Sequence, residues 1–318
     1  MNSIICVAGP TASGKTALAV ELAKEFGGEV VSCDSMQLYR RMSIGTAKPT
    51  EEEMGGIPHH LIDFAEPDQP FSCADYVAAA RNAIADIHAR GKLPVVCGGT
   101  GLYLERLLMG GGDVEAARPD PHIRAKWKAY AEENGNHALH GELRRVDAES
   151  ADAIHENNVH RVIRALEIFE TTGVPKSQWD RQSKELVSDY DYTVIGLRYT
   201  DRQALYGRID RRVDAMLEAG LLRETECLMQ DGVFERNATA AQAIGYKELL
   251  PYLRGEEPCL ETAVEGLKAA TRRYAKRQIT WFSAKPYVRW INADEGGVRR
   301  SEEALLRDAL AVIREHFD

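Results

Sequence analysis

The sequence lacks several features that would define a class of protein. Its six cysteines, among 318 residues, form no C-x-x-C pair, so the sequence indicates neither a zinc site nor a disulfide framework. No apolar run reaches the roughly 18 residues that a membrane-spanning helix needs. Positive charge is not in excess, since 40 lysines and arginines stand against 49 aspartates and glutamates, for a net charge of −9. This balance argues against a protein that coats nucleic acid non-specifically, although a local basic groove remains compatible with it.

The cysteines that are present lie mostly in apolar runs. Cys6, Cys33 and Cys97 each fall in a predicted strand, which is typical of core thiols in a reducing compartment. A glycine-rich loop begins at Gly9 and leaves no room for a signal peptide before it. We therefore expect a soluble, cytoplasmic protein without a membrane partner.

The most distinctive stretch is residues 9–16, GPTASGKT, which matches G-x-x-x-x-G-K-[ST] at every fixed position. An apolar strand pattern precedes it and an apolar-periodic helix follows it. In this context a P-loop presents backbone N–H groups to phosphate. Lys15 adds a positive charge, and the Thr16 hydroxyl is a candidate ligand of Mg²⁺. The stretch therefore predicts a site for a phosphate or diphosphate group, without indicating which molecule carries it.

Short apolar runs alternate with helical patterns in much of the chain. Because parallel strands need helical crossovers, this alternation predicts an α/β fold with a P-loop NTPase-like core, a mostly parallel sheet and helices on both faces. The predicted strands after the first are residues 29–33, 93–97, 192–198 and 288–291.

The pattern changes near Gly110. Glycines 110–112 and the prolines 119 and 121 interrupt it, and residues 122–158 are polar and helical without strands. This change predicts a helical insertion in the α/β core. We predict the first part of the core at 1–112, a helical insertion domain at 113–158, and the second part of the core, with a basic C-terminal helix, at 159–318.

Two polar residues follow predicted strands. Asp34 comes at the end of strand 29–33, at the edge where ligands bind in open α/β sheets. A carboxylate there is suited to bind Mg²⁺ or to act as a general base, and the alternative is a turn or N-cap residue. Thr100 lies between two glycines after strand 93–97, where the alternative is a glycine-rich turn without a ligand.

Basic residues occur at two helical positions. Arg208 and Arg212 are four residues apart and share a helix face, which is suited to clamping a diphosphate unless the face is merely solvated. The basic run 272–277 contains Tyr274 and precedes Trp281 and Phe282. This mixture indicates either nucleic-acid contact or a charged helix surface.

Seven stretches together resemble the tRNA dimethylallyltransferases, also called tRNA isopentenyltransferases. In chain order they are GPTASGKT, DSMQLYRRMSIGTAKP, PHHLID, GGTGLY, HRVIRALE, AIGYKE and RRYAKRQITWF. They run from Gly9 to Phe282, so the resemblance covers nearly the whole chain. The C-terminus has no zinc-finger cysteine pairs of the kind seen in some eukaryotic relatives, so the chain is similar to the compact bacterial form.

The resemblance implies a reaction. A dimethylallyl group moves from dimethylallyl diphosphate to the exocyclic amine of the adenine on the 3′ side of the anticodon, and diphosphate is released. The family extrudes the base into a channel, as other base-modifying enzymes do. The fold that it implies is a P-loop core with a helical insertion, in agreement with the change near Gly110.

The resemblance also implies roles for particular residues. Asp34 would be the catalytic acid, for which we predict the role of general base, with Thr100 as a second catalytic residue and Thr16 as the metal ligand for Mg²⁺. The donor diphosphate would be held by Gly9, Pro10, Thr11, Ala12, Ser13, Gly14, Lys15, Thr16 and Arg212. The tRNA would be contacted by Asp34, Ser35, Met36, Gln37, Thr100, Arg124, His160, Arg161, Val162, Ile163, Arg164, Gln242, Ala243, Ile244, Gly245, Tyr246 and Lys247.

Other functions share parts of this pattern. A small-molecule kinase of the adenylate or shikimate type would have the same P-loop and core. A prenyltransferase acting on free adenosine nucleotides would share Asp34 but would not need the basic segments 160–164 and 272–277. A nucleotide-dependent switch is disfavoured because no N-K-x-D guanine signature is present. The oligomeric state is not encoded in any motif, and we expect a monomer.

Overall fold

A computed structural model describes residues 2–109, 120–185 and 187–317, and of residues 183–185 only the backbone. The chain forms two compact units. The core unit comprises Met1–Leu107 and Tyr190–Asp318, and the inserted unit comprises Leu108–Asp189.

The core unit is built on a six-stranded sheet in the order β3-β2-β4-β1-β5-β6. Every neighbouring pair in it is parallel, as the alternation of strands and helices predicts. The strands are β1 Ser3–Ala8, β2 Glu29–Ser32, β3 His59–His60, β4 Pro94–Gly98, β5 Asp191–Arg198 and β6 Val288–Asn292, and a separate antiparallel hairpin pairs β7 Asp294–Glu295 with β8 Val298–Arg299. The central strands read as continuous apolar runs because both faces of a parallel sheet are covered.

Helices follow the strands in the expected alternation. In chain order they are α1 Lys15–Glu25, α2 Glu51–Met54, α3 Cys73–Ala89, α4 Gly101–Leu108, α5 Pro121–Val146, α6 Ala148–Ala153, α7 Val159–Thr172, α8 Lys176–Glu185, α9 Arg202–Glu218, α10 Leu221–Gln230, α11 Val233–Arg236, α12 Leu250–Leu253, α13 Leu260–Ser283 and α14 Glu302–Phe317. None of these helices combines the length and hydropathy that a bilayer crossing requires.

One apolar core cluster lies between the sheet and two helices from opposite ends of the chain. Leu18 and Leu22 of α1 and Ile313 of α14 belong to one buried cluster with Ile5 of β1 and Ile195 of β5. Burial of this much apolar surface is the largest favourable contribution to folding. It fixes the sheet whose carboxyl edge carries the site described below.

The inserted unit contains helices and no strand among its described residues. Trp127 and Leu143 of α5 share a buried cluster with Val162 and Leu166 of α7. The predicted boundary at 158 was therefore wrong. The inserted unit continues to Asp189 because the apolar stripe of α7 packs against α5, and the spacing that predicts such a stripe does not reveal its partner. The predicted start at 113 and the glycines 110–112 lie outside the described residues.

Candidate active site

The carboxyl ends of β1, β2 and β4 bring three predicted site segments together. The P-loop follows β1, Asp34 follows β2, and Thr100 follows β4. The P-loop and Asp34 line a cavity of about 280 Å³ in the core unit. Its walls comprise Thr11, Lys15, Thr16, Asp34, Ser35, Met36, Gln37, Gly45, Thr46, Ala47, Ile209, Arg212, Val213, Met216, Gln242, Ala243, Ile244, Gly245, Lys247, Leu267, Thr271, Tyr274, Arg277 and Gln278.

The P-loop has a backbone that only glycine fits at its last turn. Gly14 has φ +91°, and a Cβ atom there would lie 2.3 Å from the guanidinium of Arg299. Beside it, the Nζ atom of Lys15 donates to the carbonyl oxygen of Pro10 at 3.4 Å. Burial lowers the pKa of Lys15, and the nearby Arg212 lowers it further, whereas Cys97 and Asp34 act in the opposite direction. A bound anion would favour the charged ammonium, so this lysine is suited to a phosphate ligand.

Three arginines from two elements, α9 and β8, donate hydrogen bonds to the P-loop. Arg208 Nε donates to the carbonyl of Ala12 at 3.0 Å, and an Arg299 N–H donates to that of Ser13 at 3.1 Å. Arg212 donates to the Thr11 hydroxyl at 3.4 Å, and burial lowers its pKa. The helical spacing predicts Arg208 and Arg212, but not Arg299. Arg299 lies on β8, 286 residues from Ser13, and no local pattern marks such a contact.

Gln278 of α13 joins the P-loop to the loop after β4. Its side-chain oxygen accepts the Thr11 N–H at 2.9 Å, and its side-chain nitrogen donates to the Gly99 carbonyl at 3.0 Å. A Cβ atom on Gly99 would lie 2.1 Å from that nitrogen. This close approach explains why glycine precedes Thr100. The two hydrogen bonds of Gln278 hold the P-loop and the loop after β4 at a fixed separation.

The two oxygens of Asp34 have different surroundings. Oδ1 accepts the N–H groups of Met36 and Gln37 at 2.9 and 3.3 Å. This oxygen therefore has the role of a turn residue, the alternative given for Asp34. Oδ2 has no hydrogen-bond donor within the described part of the chain. The carboxylate is therefore oriented by one oxygen and presents the other to the cavity that it lines.

Tyr274 lines the cavity, whereas Thr100 is not one of its lining residues and contacts the lining residue Ser35 instead. Thr100 Oγ1 accepts the Ser35 N–H at 3.0 Å. Burial raises the pKa of Tyr274 and nearby Asp34 raises it further, against the effect of a hydrogen bond with Thr100. The Tyr274 hydroxyl is thus a neutral group near a carboxylate, suited to orienting a polar substrate, and Thr100 supports the backbone of Ser35 beside it.

The segment 242–247 lines the cavity next to Gly45–Ala47. Two of its predicted tRNA-contacting side chains are buried, because Ala243 is 3% and Tyr246 0% exposed. These two support the wall by packing. The segment's contact with tRNA, predicted by the resemblance, would therefore fall to the remaining side chains.

In the inserted unit, a buried carboxylate holds two of the predicted tRNA-contacting arginines. Arg124 donates to Glu167 at 2.9 and 3.2 Å, and Arg164 also pairs with it. Burial alone would raise the pKa of Glu167, but Arg164 and Arg124 outweigh it and lower the pKa. Both guanidinium groups are thereby fixed in direction.

The start of α7 divides the predicted contact residues 160–164 by face. His160 and Arg161 are exposed, so their side chains are accessible to a ligand. Val162 is 0% and Ile163 8% exposed, and both belong to the apolar cluster of this unit. The contact of Val162 and Ile163 with tRNA stays a prediction, while in this structure their side chains pack in the apolar cluster.

The basic run 272–277 lies on α13 and divides in the same way. Arg273 and Lys276 are exposed, and Arg277 lies over the Tyr274 ring at 5.5 Å and lines the cavity. Phe282 is 1% exposed, so it belongs to the core-facing side of this helix. Helix α13 thus carries both core residues and a charged outer face.

The cavity is suited to a metal ion that is bound mainly through a ligand. No cluster of three or more acidic, histidine or cysteine ligands occurs within the described ranges. Thr16 and Asp34 nevertheless line the same cavity. Mg²⁺ is commonly held by one or two protein oxygens plus substrate phosphates and water, and these residues fit that arrangement.

Two family profiles match the chain. One, described as "IPP transferase", matches residues 37–285, and one described as "Isopentenyl transferase" matches residues 2–66. Among curated proteins, the tRNA dimethylallyltransferase of Shouchella clausii is 50% identical over 296 residues, covering 92% of each chain. That of Thermoanaerobacter sp. strain X514 is 48% identical over 295 residues, again covering 92% of each chain.

Solved structures are also similar. The full-length tRNA isopentenylpyrophosphate transferase of Bacillus halodurans has a TM-score of 0.70 and 42% identity, over 99% of this chain and 98% of that one. A eukaryotic dimethylallyltransferase, captured in crystallographic snapshots acting on tRNA, has a TM-score of 0.81 and 31% identity. That match covers 97% of this chain and 79% of that one.

Proposed function

We propose that this chain, which belongs to the tRNA dimethylallyltransferase family, transfers a dimethylallyl group from dimethylallyl diphosphate to an adenine of tRNA. The acceptor is the exocyclic amine of the adenine on the 3′ side of the anticodon. The observation that carries the proposal is that the P-loop, Asp34 and the 242–247 segment line one common cavity. A phosphate site beside a free carboxylate oxygen suits a displacement of diphosphate by an amine.

The donor diphosphate would bind in the P-loop, residues 9–16, with Lys15 and Arg212 as its cationic partners. As the allylic C–O bond breaks, negative charge develops on the departing diphosphate. Fixed N–H donors and positive side chains stabilise such a charge most when they are held in place beforehand. The three arginine contacts and Gln278 provide that order. Bound Mg²⁺, with Thr16 as a protein ligand, would supply further positive charge to the leaving group.

Asp34 is the general base in this proposal. The adenine nitrogen forms a bond to the allylic carbon, the bond from that carbon to the diphosphate oxygen breaks, and the nitrogen loses a proton. Oδ2 of Asp34 is the acceptor of that proton, because Oδ1 is already held by two N–H groups. Thr100 would orient the reacting amine through its position beside Ser35 and Asp34.

The tRNA would be contacted from both units. Contacts to an extruded, unstacked base suit the mixed polar segment Ser35–Gln37, Thr100 and the accessible part of 242–247. In the inserted unit, Arg124, His160, Arg161 and Arg164 are the polar candidates. The protein would act in the cytoplasm as a monomer, and size-exclusion chromatography with light scattering would check the latter.

The decisive experiment incubates the protein with labelled dimethylallyl diphosphate and an unmodified tRNA anticodon stem-loop, then digests the RNA and identifies the labelled nucleoside. We expect a prenylated adenosine at the position 3′ to the anticodon. Free AMP as acceptor and Mg·ATP without a prenyl donor are the controls. Prenylation of AMP but not of RNA would favour the free-nucleotide prenyltransferase, and ATP turnover without a prenyl donor would favour the kinase.

A further inference from the structure

Glu224 of α10 holds the backbone of the loop beside the P-loop. Its carboxylate accepts the N–H groups of three consecutive residues: Ser43 at 3.0 Å, Ile44 at 2.9 and 3.0 Å, and Gly45 at 3.0 Å. It also accepts the Tyr246 hydroxyl at 2.8 Å. No lysine or arginine pairs with it within residues 2–109, 120–182 and 187–317. The loop backbone therefore takes the place of a cation in balancing this carboxylate.

The surrounding packing requires glycine at two positions of this contact. A Cβ atom on Gly45 would lie 2.5 Å from the Tyr246 ring, and one on Gly245 would lie 2.7 Å from the Gly45 carbonyl oxygen. Gly245 also has φ +110°, in the region that favours glycine. The loop and the 242–247 segment are thus in backbone contact at one point, and Glu224 binds both sides of that contact.

The same loop continues into the diphosphate end of the cavity. The side-chain nitrogen of Gln37 donates to the carbonyls of Thr46 and Ala47 at 3.2 and 3.0 Å. Arg212 donates to the Ala47 carbonyl at 3.2 Å and to the Thr11 hydroxyl of the P-loop at 3.4 Å. The position of the loop therefore sets the position of Arg212, whose guanidinium would meet the leaving group.

We propose that Glu224 is a positioning residue for prenyl transfer, which fixes residues 43–47 so that Arg212 and the 242–247 wall face the reacting groups together. This rests on the proposed function. Glu224 does not touch substrate itself, and neither the sequence patterns nor the resemblance assign it a role. Its effect on rate comes through alignment, and misplacement by about 1 Å can reduce catalysis on the order of 100-fold.

The test compares E224Q with E226Q, a control at an exposed position on the same helix. Glutamine keeps the shape but replaces one acceptor oxygen by an NH₂ donor that cannot accept an N–H. We expect kcat/KM of E224Q to fall by about 10- to 100-fold, mainly through kcat, with tRNA affinity within about threefold. Amide hydrogen exchange at residues 43–45 should become faster in E224Q without any substrate present. E226Q should match the wild type in both measurements.

A shortened carboxylate separates positioning from loss of the fold. E224D retains the charge and is expected to recover part of both the rate and the exchange protection relative to E224Q. Should E224Q fail to fold, E224D compared with wild type serves instead. The positioning role is overturned if E224Q loses rate without faster amide exchange at residues 43–45. It is also overturned if E224Q equals E226Q in both rate and exchange. Wild-type protein that transfers no prenyl group counts against the proposed function instead, while the exchange comparison still measures the grip of Glu224.

Discussion

At the scale of single residues, the site depends on side chains whose atoms are used unequally. Oδ1 of Asp34 accepts hydrogen bonds from its own turn, and Oδ2 remains available to the cavity that Asp34 lines. Arg212 divides its donors between Thr11 and the Ala47 carbonyl. Because the protein's own atoms hold each group, its remaining oxygen or N–H groups have a defined direction before a substrate arrives.

Replacing Asp34 tests this division. Asp34→Asn keeps an oxygen that can accept the N–H groups of Met36 and Gln37 but removes the base. Asp34→Ala removes both. We expect both variants to lower single-turnover prenyl transfer on the order of 100-fold or more while tRNA binding persists. Near-normal transfer by the asparagine variant would show that Asp34 serves the turn alone.

Lys15→Ala tests the phosphate end of the site. The lost ammonium should weaken binding of dimethylallyl diphosphate more than binding of tRNA, because only the donor carries a diphosphate. Separate titrations of the two ligands measure the effect. Lys24→Ala, which changes an exposed lysine on the same helix, is the control. Equal losses of affinity for both ligands would contradict the assignment.

At the scale of elements, α13 combines two functions on opposite faces. Its inner face contributes Gln278 and the buried Phe282, and its outer face exposes Arg273 and Lys276. A local basic surface of this kind coexists with a net charge of −9. Local charge, not net charge, decides whether a polyanion binds.

We therefore expect tRNA affinity to fall steeply with salt. Each phosphate contact with a lysine or arginine releases counterions, and the slope of log K against log[salt] is about −0.7 to −0.9 per contact. A double variant with alanine at Arg273 and Lys276 should have a shallower slope than wild type. A wild-type dissociation constant that does not change between low and high salt would remove the argument for a basic RNA surface.

Regular elements were predictable from the sequence where periodicity is local. The strand predicted at 29–33 differs from β2 by one residue, and the apolar stripe of α7 recurs at the spacing of one helix face. The same stripe could not reveal that α7 packs against α5, and this is why the predicted domain boundary was wrong. No periodic pattern marks a contact that one charged side chain makes with a residue far away in sequence. Examples are Arg299 with Ser13 and Glu224 with Ser43.

The site was predictable where chemistry follows a strand. The P-loop, Asp34 and Thr100 each come directly after an apolar run, and parallel strands end at one edge. Accessibility to a ligand depends on packing within the short contact segments, since Val162 and Ile163 belong to the apolar cluster of the inserted unit whereas Arg161 on the same helix is exposed.

At the scale of the whole molecule, one buried acid at the amino end of β2 affects stability against acid. Glu29 is 2% exposed at its side chain and pairs with Arg90, Lys92 and His60. Arg90 is the main cause that lowers its pKa below the ordinary value of 4.5, against the opposing effect of burial, with Lys92 and His60 adding to it. The folded state therefore binds a proton at this site less readily than the unfolded chain.

The stability of the fold should therefore depend on pH through Glu29. A carboxyl whose pKa is lowered by folding stabilises the fold fully above its unfolded value, and this stabilisation is lost as pH falls below about 4.5. We expect Glu29→Gln to lower the melting temperature at pH 7, and the difference from wild type to narrow as pH falls below 4.5. Thermal melts across pH 3 to 7 measure it. A difference that stays constant across that range would contradict the role of this ion-pair cluster.

The order of the strands in the sheet leaves one edge of β1 unpaired during translation. Strand β1 pairs with β4 on one side and with β5 on the other, and the whole inserted unit is translated between those two partners. At 5 to 20 residues per second, the β5-facing edge of β1 waits on the order of tens of seconds for its neighbour to leave the ribosome. Ribosome-bound chains halted before residue 191 should thus expose that apolar edge to protease or chaperone, and chains halted well after β5 should not. The inserted unit therefore lengthens the time during translation in which the edge of β1 is unpaired and open to protease or chaperone.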